Sequence, residues 1–189
     1  MQILKRARAG ALGALISSMA IIGITGTAGA DTVVSSKNEQ RFTAYVTGYS
    51  YWDNTPPGST AISKPVVHRR AGGKGTYQDP ITIAVGHSLE GGRQTLEFPA
   101  GTRFYIEALR KYAIVEDVCG DGPQPQLTGC ARGRDGRPWL DLYIGGGKAS
   151  ARSATACANS ITRFHTIVMN PGPGYPVAPG EVMESTCRS

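Results

Sequence analysis

Histidine and cysteine are scarce in this sequence, with three and four among 189 residues. The cysteines show no Cys-x-x-Cys spacing and the histidines are scattered, which argues against a zinc site. No metal and no cofactor are implied. Gly-x-Gly-x-x-Gly, P-loop and Gly-x-Ser-x-Gly patterns are also missing, so dinucleotide, phosphate-loop and serine-hydrolase chemistry have no motif to stand on. No basic tract interleaves with aromatics, so nucleic acid is not indicated as a partner. No internal repeat or heptad occurs.

Long apolar runs are absent except at the start. Lys5, Arg6 and Arg8 precede an apolar stretch over 9–24, and Ala28-Gly-Ala closes it at residue 30. This is the pattern of a secretory signal peptide. The run is short and broken by Gly and Ser, which disfavours a membrane anchor. A leader over 1–30, a flexible lead-in over 31–40 and a single domain over 41–189 follow as expectations, the domain being long enough for a sizeable core. The protein is expected to be secreted, monomeric and free of the membrane after cleavage. The formal charge of +6 would be three lower without the leader, a mild excess that suits an anionic wall surface. All four cysteines, Cys119, Cys130, Cys157 and Cys187, lie beyond the leader, and an even count in an exported chain reads as two disulfides. Three pairings are possible. Joining 119 to 130 and 157 to 187 is the simplest, because both loops are short.

What the sequence has in plenty is glycine and proline, 25 and 12 residues, between short β-rich runs. Strands are expected over 42–51, 81–85, 95–98, 102–106, 112–118, 140–144 and 164–169, with an extended edge piece at 63–67. Residues 87–92 read as a turn, and 147–160 as an Ala/Ser-rich helix or loop. Short strands with Gly/Pro turns throughout indicate an all-β barrel or sandwich with long loops.

The stretch 112–146 is the centre of the chain. Two apolar runs each carry acids: Glu116 and Asp117 in the first, Asp141 in the second. A carboxylate inside such a strand is costly to bury unless it is paired or used. If the two runs are neighbours in one sheet, their acids converge. Strand alternation lets only one of Glu116 and Asp117 face the resulting groove.

Residues 98–106 read Phe-Pro-Ala-Gly-Thr-Arg-Phe-Tyr-Ile, residues 112–117 Tyr-Ala-Ile-Val-Glu-Asp, and residues 140–146 Leu-Asp-Leu-Tyr-Ile-Gly-Gly. In that order they resemble the double-psi β-barrel group. It includes expansins, the endoglucanases built on that barrel, rare-lipoprotein-A-type proteins, the three-aspartate domain of A-type lytic transglycosylases, and small secreted muramidase-like proteins. The resemblance covers about residues 42–146, extending toward 170. It implies a six-stranded barrel with an open polysaccharide groove. It also implies that Asp141 matches the catalytic acid, that Asp117 matches the middle aspartate of the three, and that Asp79 lies near the first. Tyr51-Trp-Asp53 resembles the triplet that supplies the endoglucanase base, but here Asn-Thr-Pro-Pro follows where paired cysteines would stand.

Glycoside cleavage needs a protonated acid at the leaving oxygen, and an inverting enzyme adds a second carboxylate about 6.5–9.5 Å away to activate water. A transglycosylase can use one carboxyl as acid and then base. Asp141 is the candidate acid, Asp117 its orienting neighbour, and Asp53 a candidate base. Each has a structural alternative: a loop-bonded Asp141, a turn-capping Asp117, an Asx-turn at Asp53. Asp79 reads as a turn residue. Tyr49, Tyr51, Trp52 and Trp139 could stack on sugars, and His68 and His87 could bind substrate. Arg69, Arg70, Lys74 and Arg103 could meet carboxylates. The expected function is cleavage of cell-wall polysaccharide, peptidoglycan foremost. A non-catalytic expansin-like wall-loosening or binding protein is the main alternative, and a barrel-type protease inhibitor a further one.

Overall fold

The computed structural model describes residues 36, 38–120 and 122–187. The expected leader, most of the lead-in and Asp121 lie outside them. Eight strands form: β1 Gln40–Tyr49, β2 Ile81–Val85, β3 His87–Glu90, β4 Arg93–Leu96, β5 Arg103–Ile106, β6 Lys111–Val118, β7 Trp139–Tyr143 and β8 Arg163–Met169. Helix α1 spans Ala151–Ile161 and a short α2 spans Val182–Ser185. Six strands close a barrel in the order β1-β7-β2-β6-β5-β8, and β3 with β4 forms a separate hairpin. Two pairings are parallel, β1 with β7 and β2 with β6. The protein is thus mostly β, with two disulfides, Cys119–Cys130 and Cys157–Cys187.

Alternation along the strands fills the barrel. Ala44 and Val46 of β1, Ile81, Ile83 and Val85 of β2, Ala113 and Val115 of β6, and Leu140 and Leu142 of β7 are buried in one core. Helix α1, capped by Ser150 accepting from the Ser153 N–H at 3.1 Å, lies against β1. Gly48 permits that approach: a Cβ there would sit 2.8 Å from Ile144 Cγ2 and 3.3 Å from Ala158 Cα.

Two expectations are corrected. Residues 63–67 form no strand, because only the Lys64 N–H meets a backbone carbonyl, that of Glu116, while side chains take the others: Asp117 accepts from Ser63, and Glu116 from Val66, Val67 and the following His68. Residues 87–92 are not merely a turn. Hydrogen-bonded pairing of His87 with Leu96 through Glu90 with Arg93 makes a ribbon around the Gly91-Gly92 tip. The later expected strand at 95–98 accordingly falls at Arg93–Leu96.

Candidate functional site

The register of four strands builds one row. Thr47 pairs with Asp141 across β1 and β7, Asp141 with Ala84 across β7 and β2, and Ala84 with Asp117 across β2 and β6. The two acids therefore flank the small side chain of Ala84. Strand spacing puts their Cα atoms about 10 Å apart. The placement of Asp117 depends on a bulge. Ile83 pairs with Val115 but Ala84 pairs with Asp117, so Glu116 is an extra residue. Asp117, Asp141, Asp53, Tyr49, Thr55 and Ala84 line a single cleft together with Cys119 and Gly120.

Each carboxylate is held differently. Asp141 Oδ1 accepts from Thr47 Oγ1 at 2.6 Å, and that hydroxyl accepts from Trp139 Nε1 at 2.8 Å. The indole N–H thus commits the Thr47 proton to Asp141. Asp117 Oδ1 accepts from the Ser63 N–H and hydroxyl, both at 3.0 Å, and from the Val118 N–H at 2.9 Å. Its Oδ2 accepts from the Tyr49 hydroxyl at 3.2 Å. Burial, then the charges of Asp117 and Asp141, push Tyr49 well above the ordinary phenol range, so it stays a donor. Asp53 is exposed at the mouth, with Oδ1 accepting from the Ser50 N–H at 2.7 Å and hydroxyl at 2.5 Å.

The remaining candidates are dispersed. Trp52 donates its indole N–H to the carbonyls of Gly146 and Ala149 and packs edge-on against Tyr51 at 5.4 Å. Trp139, half-buried and packed against the core, meets Tyr45 edge-on at 5.1 Å. His68 lies away from the cleft: Nδ1 is 2.7 Å from Glu116 Oε2 and Nε2 is 2.9 Å from Asp79 Oδ1. Asp79 therefore faces His68 rather than Asp141, and it also shapes its turn through Thr76. His87 lines a second hollow that shares Thr55 and Asp117 with the cleft. Among the described residues, no group of three or more His, Cys, Asp or Glu is placed to hold a metal ion.

Sequence reasoning overlooked Thr47, Ser63 and Ala84. Thr47 had a signal, since it shares the face of Tyr45 and Tyr49 on one strand. Ser63 and Ala84 had none, because their roles depend on long-range register.

A family model described as the DDB_G0273701 N-terminal domain matches residues 41–188, which include the cleft and all of the barrel but its first residue, Gln40. A relative from Dictyostelium discoideum, titled "Uncharacterized protein DDB_G0273701/DDB_G0273221", is 33% identical over 147 residues. The match covers 76% of this chain and 57% of that protein's length, so the chain spans a little over half of its relative. By the matched domain, the chain belongs to the DDB_G0273701 N-terminal domain family.

Proposed function

We propose that this is an exported protein with a double-psi barrel whose cleft cleaves cell-wall polysaccharide, with peptidoglycan the favoured substrate. The two parallel pairings and the crossed strand order support the barrel type. Two disulfides are compatible with an extracellular site. One observation carries the activity: Asp141 and Asp117, from different strands, flank Ala84 in one row and line one cleft with Asp53.

Asp141 is the general acid. It gives its proton to the glycosidic oxygen as the C–O bond breaks and positive charge grows at the anomeric carbon. Thr47 and Trp139 fix its carboxyl, and Asp117 with Tyr49 adds a fixed negative charge nearby. The attacking oxygen comes either from a substrate hydroxyl, returning its proton to Asp141, or from water, giving its proton to Asp53. A non-catalytic wall-loosening role is the second reading. It is favoured by the four donors that already fill Asp117 and by the engagement of Asp53 with Ser50, which leave no dedicated base.

The test is release of reducing and anhydro-muramyl ends from purified peptidoglycan. Wild type should release them, and Asp141→Asn should lower release by at least about 100-fold with the fold intact. Anhydro ends indicate a transglycosylase and reducing ends a hydrolase. No release by wild type from peptidoglycan, cellulose or chitin leaves the wall-loosening reading.

A further inference from the structure

The cleft does not stop at the acids. Thr55, Asp117, Val118, Cys119 and Gly120 border both the hollow around Asp141 and the one that His87 lines, so the two adjoin. Resting on the glycan reading above, we propose that this second hollow is a subsite for an acetamido group. That makes an N-acetylated polysaccharide, rather than a plain glucan, the substrate class.

His87 carries the argument. It is only 9% exposed, and its Nδ1 is buried with no hydrogen-bond partner among the described residues. Buried polar atoms in native proteins nearly always have partners, so an orphan on a residue that lines a hollow calls for one. Burial, and then the charge of Lys64, hold the imidazole below its ordinary range, so it is neutral near pH 7. A neutral imidazole offers one donor and one acceptor, and an acetamido group presents the complementary pair. A half-turn of the ring about χ2 moves Nδ1 to its opposite edge, so either nitrogen can serve. Gln94, exposed on β4 and bordering the same hollow, supplies a second amide.

The rest of the lining suits the methyl. Ala61, Ile62 and Pro125 offer apolar surface, which a hydroxyl would leave facing water and an acetamido methyl would cover. Spacing fits a single glycan chain. His87 follows Ala84 by three residues across the break at Gly86, a reach of at most about 10 Å. A sugar held there therefore neighbours the one whose bond lies at Asp141.

Calorimetric titration of the full chain with chitohexaose and cellohexaose compares the same linkage with and without the acetamido group. Chitohexaose should bind at least about tenfold tighter. Gln94→Ala is a surface change that leaves the fold intact, and His87→Gln keeps a polar side chain; each should narrow that preference. The two-bond ¹⁵N spectrum of His87 should change with chitohexaose and not with cellohexaose. Equal affinities, no binding of either sugar, or a preference that survives both substitutions would overturn the subsite. Asp141→Asn separates the two readings, because it should keep the preference. A preference without any release from peptidoglycan removes cleavage and leaves the subsite standing. Release without a preference removes the subsite alone.

Discussion

Glu116 and Asp117 are sequence neighbours with separate tasks. Glu116, wholly buried, accepts from the N–H groups of Val66, Val67 and His68, from the His68 ring and from Thr82. Its burial opposes ionisation, but the donors of His68 and Val67 outweigh it and hold the carboxyl below its usual range. His68 answers in kind: burial works against its charge, yet Asp79 and Glu116 raise it above the usual histidine value. A raised histidine stabilises the fold fully below its unfolded value of about 6.5, and that contribution is lost as pH climbs through the folded value. Lys111 behaves oppositely. It is buried, with Nζ donating to the carbonyls of Ala178 and Gly180 and to Ser185, and burial lowers it to about 8. Between that value and about 10.5 the unfolded chain binds more protons, so stability rises with pH there. Urea midpoints taken from pH 6.5 to 9.5, below the range in which tyrosines ionise, should therefore pass through a minimum near pH 8. His68→Gln should flatten the falling limb and Lys111→Met the rising one. A monotonic wild-type curve, unchanged in both variants, would contradict these assignments.

At the scale of elements, the join between β2 and β3 is closely packed. Gly86 lies there, and a Cβ on it would meet Cys130 O at 2.7 Å and Ala131 Cα at 2.8 Å, both backbone atoms. Gly86→Ala should displace the 129–132 turn and cost roughly 1–3 kcal/mol, a fall in melting temperature of about 3–10 °C. An unchanged melting temperature would mean that this loop yields freely. Most barrel strands were legible because alternation and β-branched residues speak locally, as in residues 81–85, where expectation and structure coincide. Residues 63–67 misled because Val66 and Val67 look like strand formers, while their N–H groups are taken by a side chain fifty residues away in sequence. The bulge at Glu116 was equally silent, since it is defined only by the partner strand.

Over the whole molecule, the two disulfides close loops of different length and serve different regions. Cys157–Cys187 spans 30 residues and ties α1 to the segment after α2, whereas Cys119–Cys130 spans 11 and borders the cleft. Loop-closure entropy assigns about 4 kcal/mol to the longer and about 3 kcal/mol to the shorter. Replacing Cys157 and Cys187 by Ser should therefore lower the unfolding free energy more. Replacing Cys119 and Cys130 should be the change that also weakens ligand binding. Denaturant unfolding and titration with chitohexaose, run on both double variants, would expose a reversal of either order.

The sequence by itself determined that the protein is mostly β, roughly where its strands lie, and which acids are out of place in apolar runs. Those properties follow from local alternation, turn residues and the cost of burying charge. Tertiary structure decided which acids meet. Asp141 and Asp117 share a row because β7 and β6 both pair with β2, and because one inserted residue shifts the register at Ala84. Asp79 and His68 fall elsewhere because Glu116 holds one nitrogen of the His68 ring and Asp79 meets the other. Partnership across strands is a property of register, and register is settled only when the barrel closes.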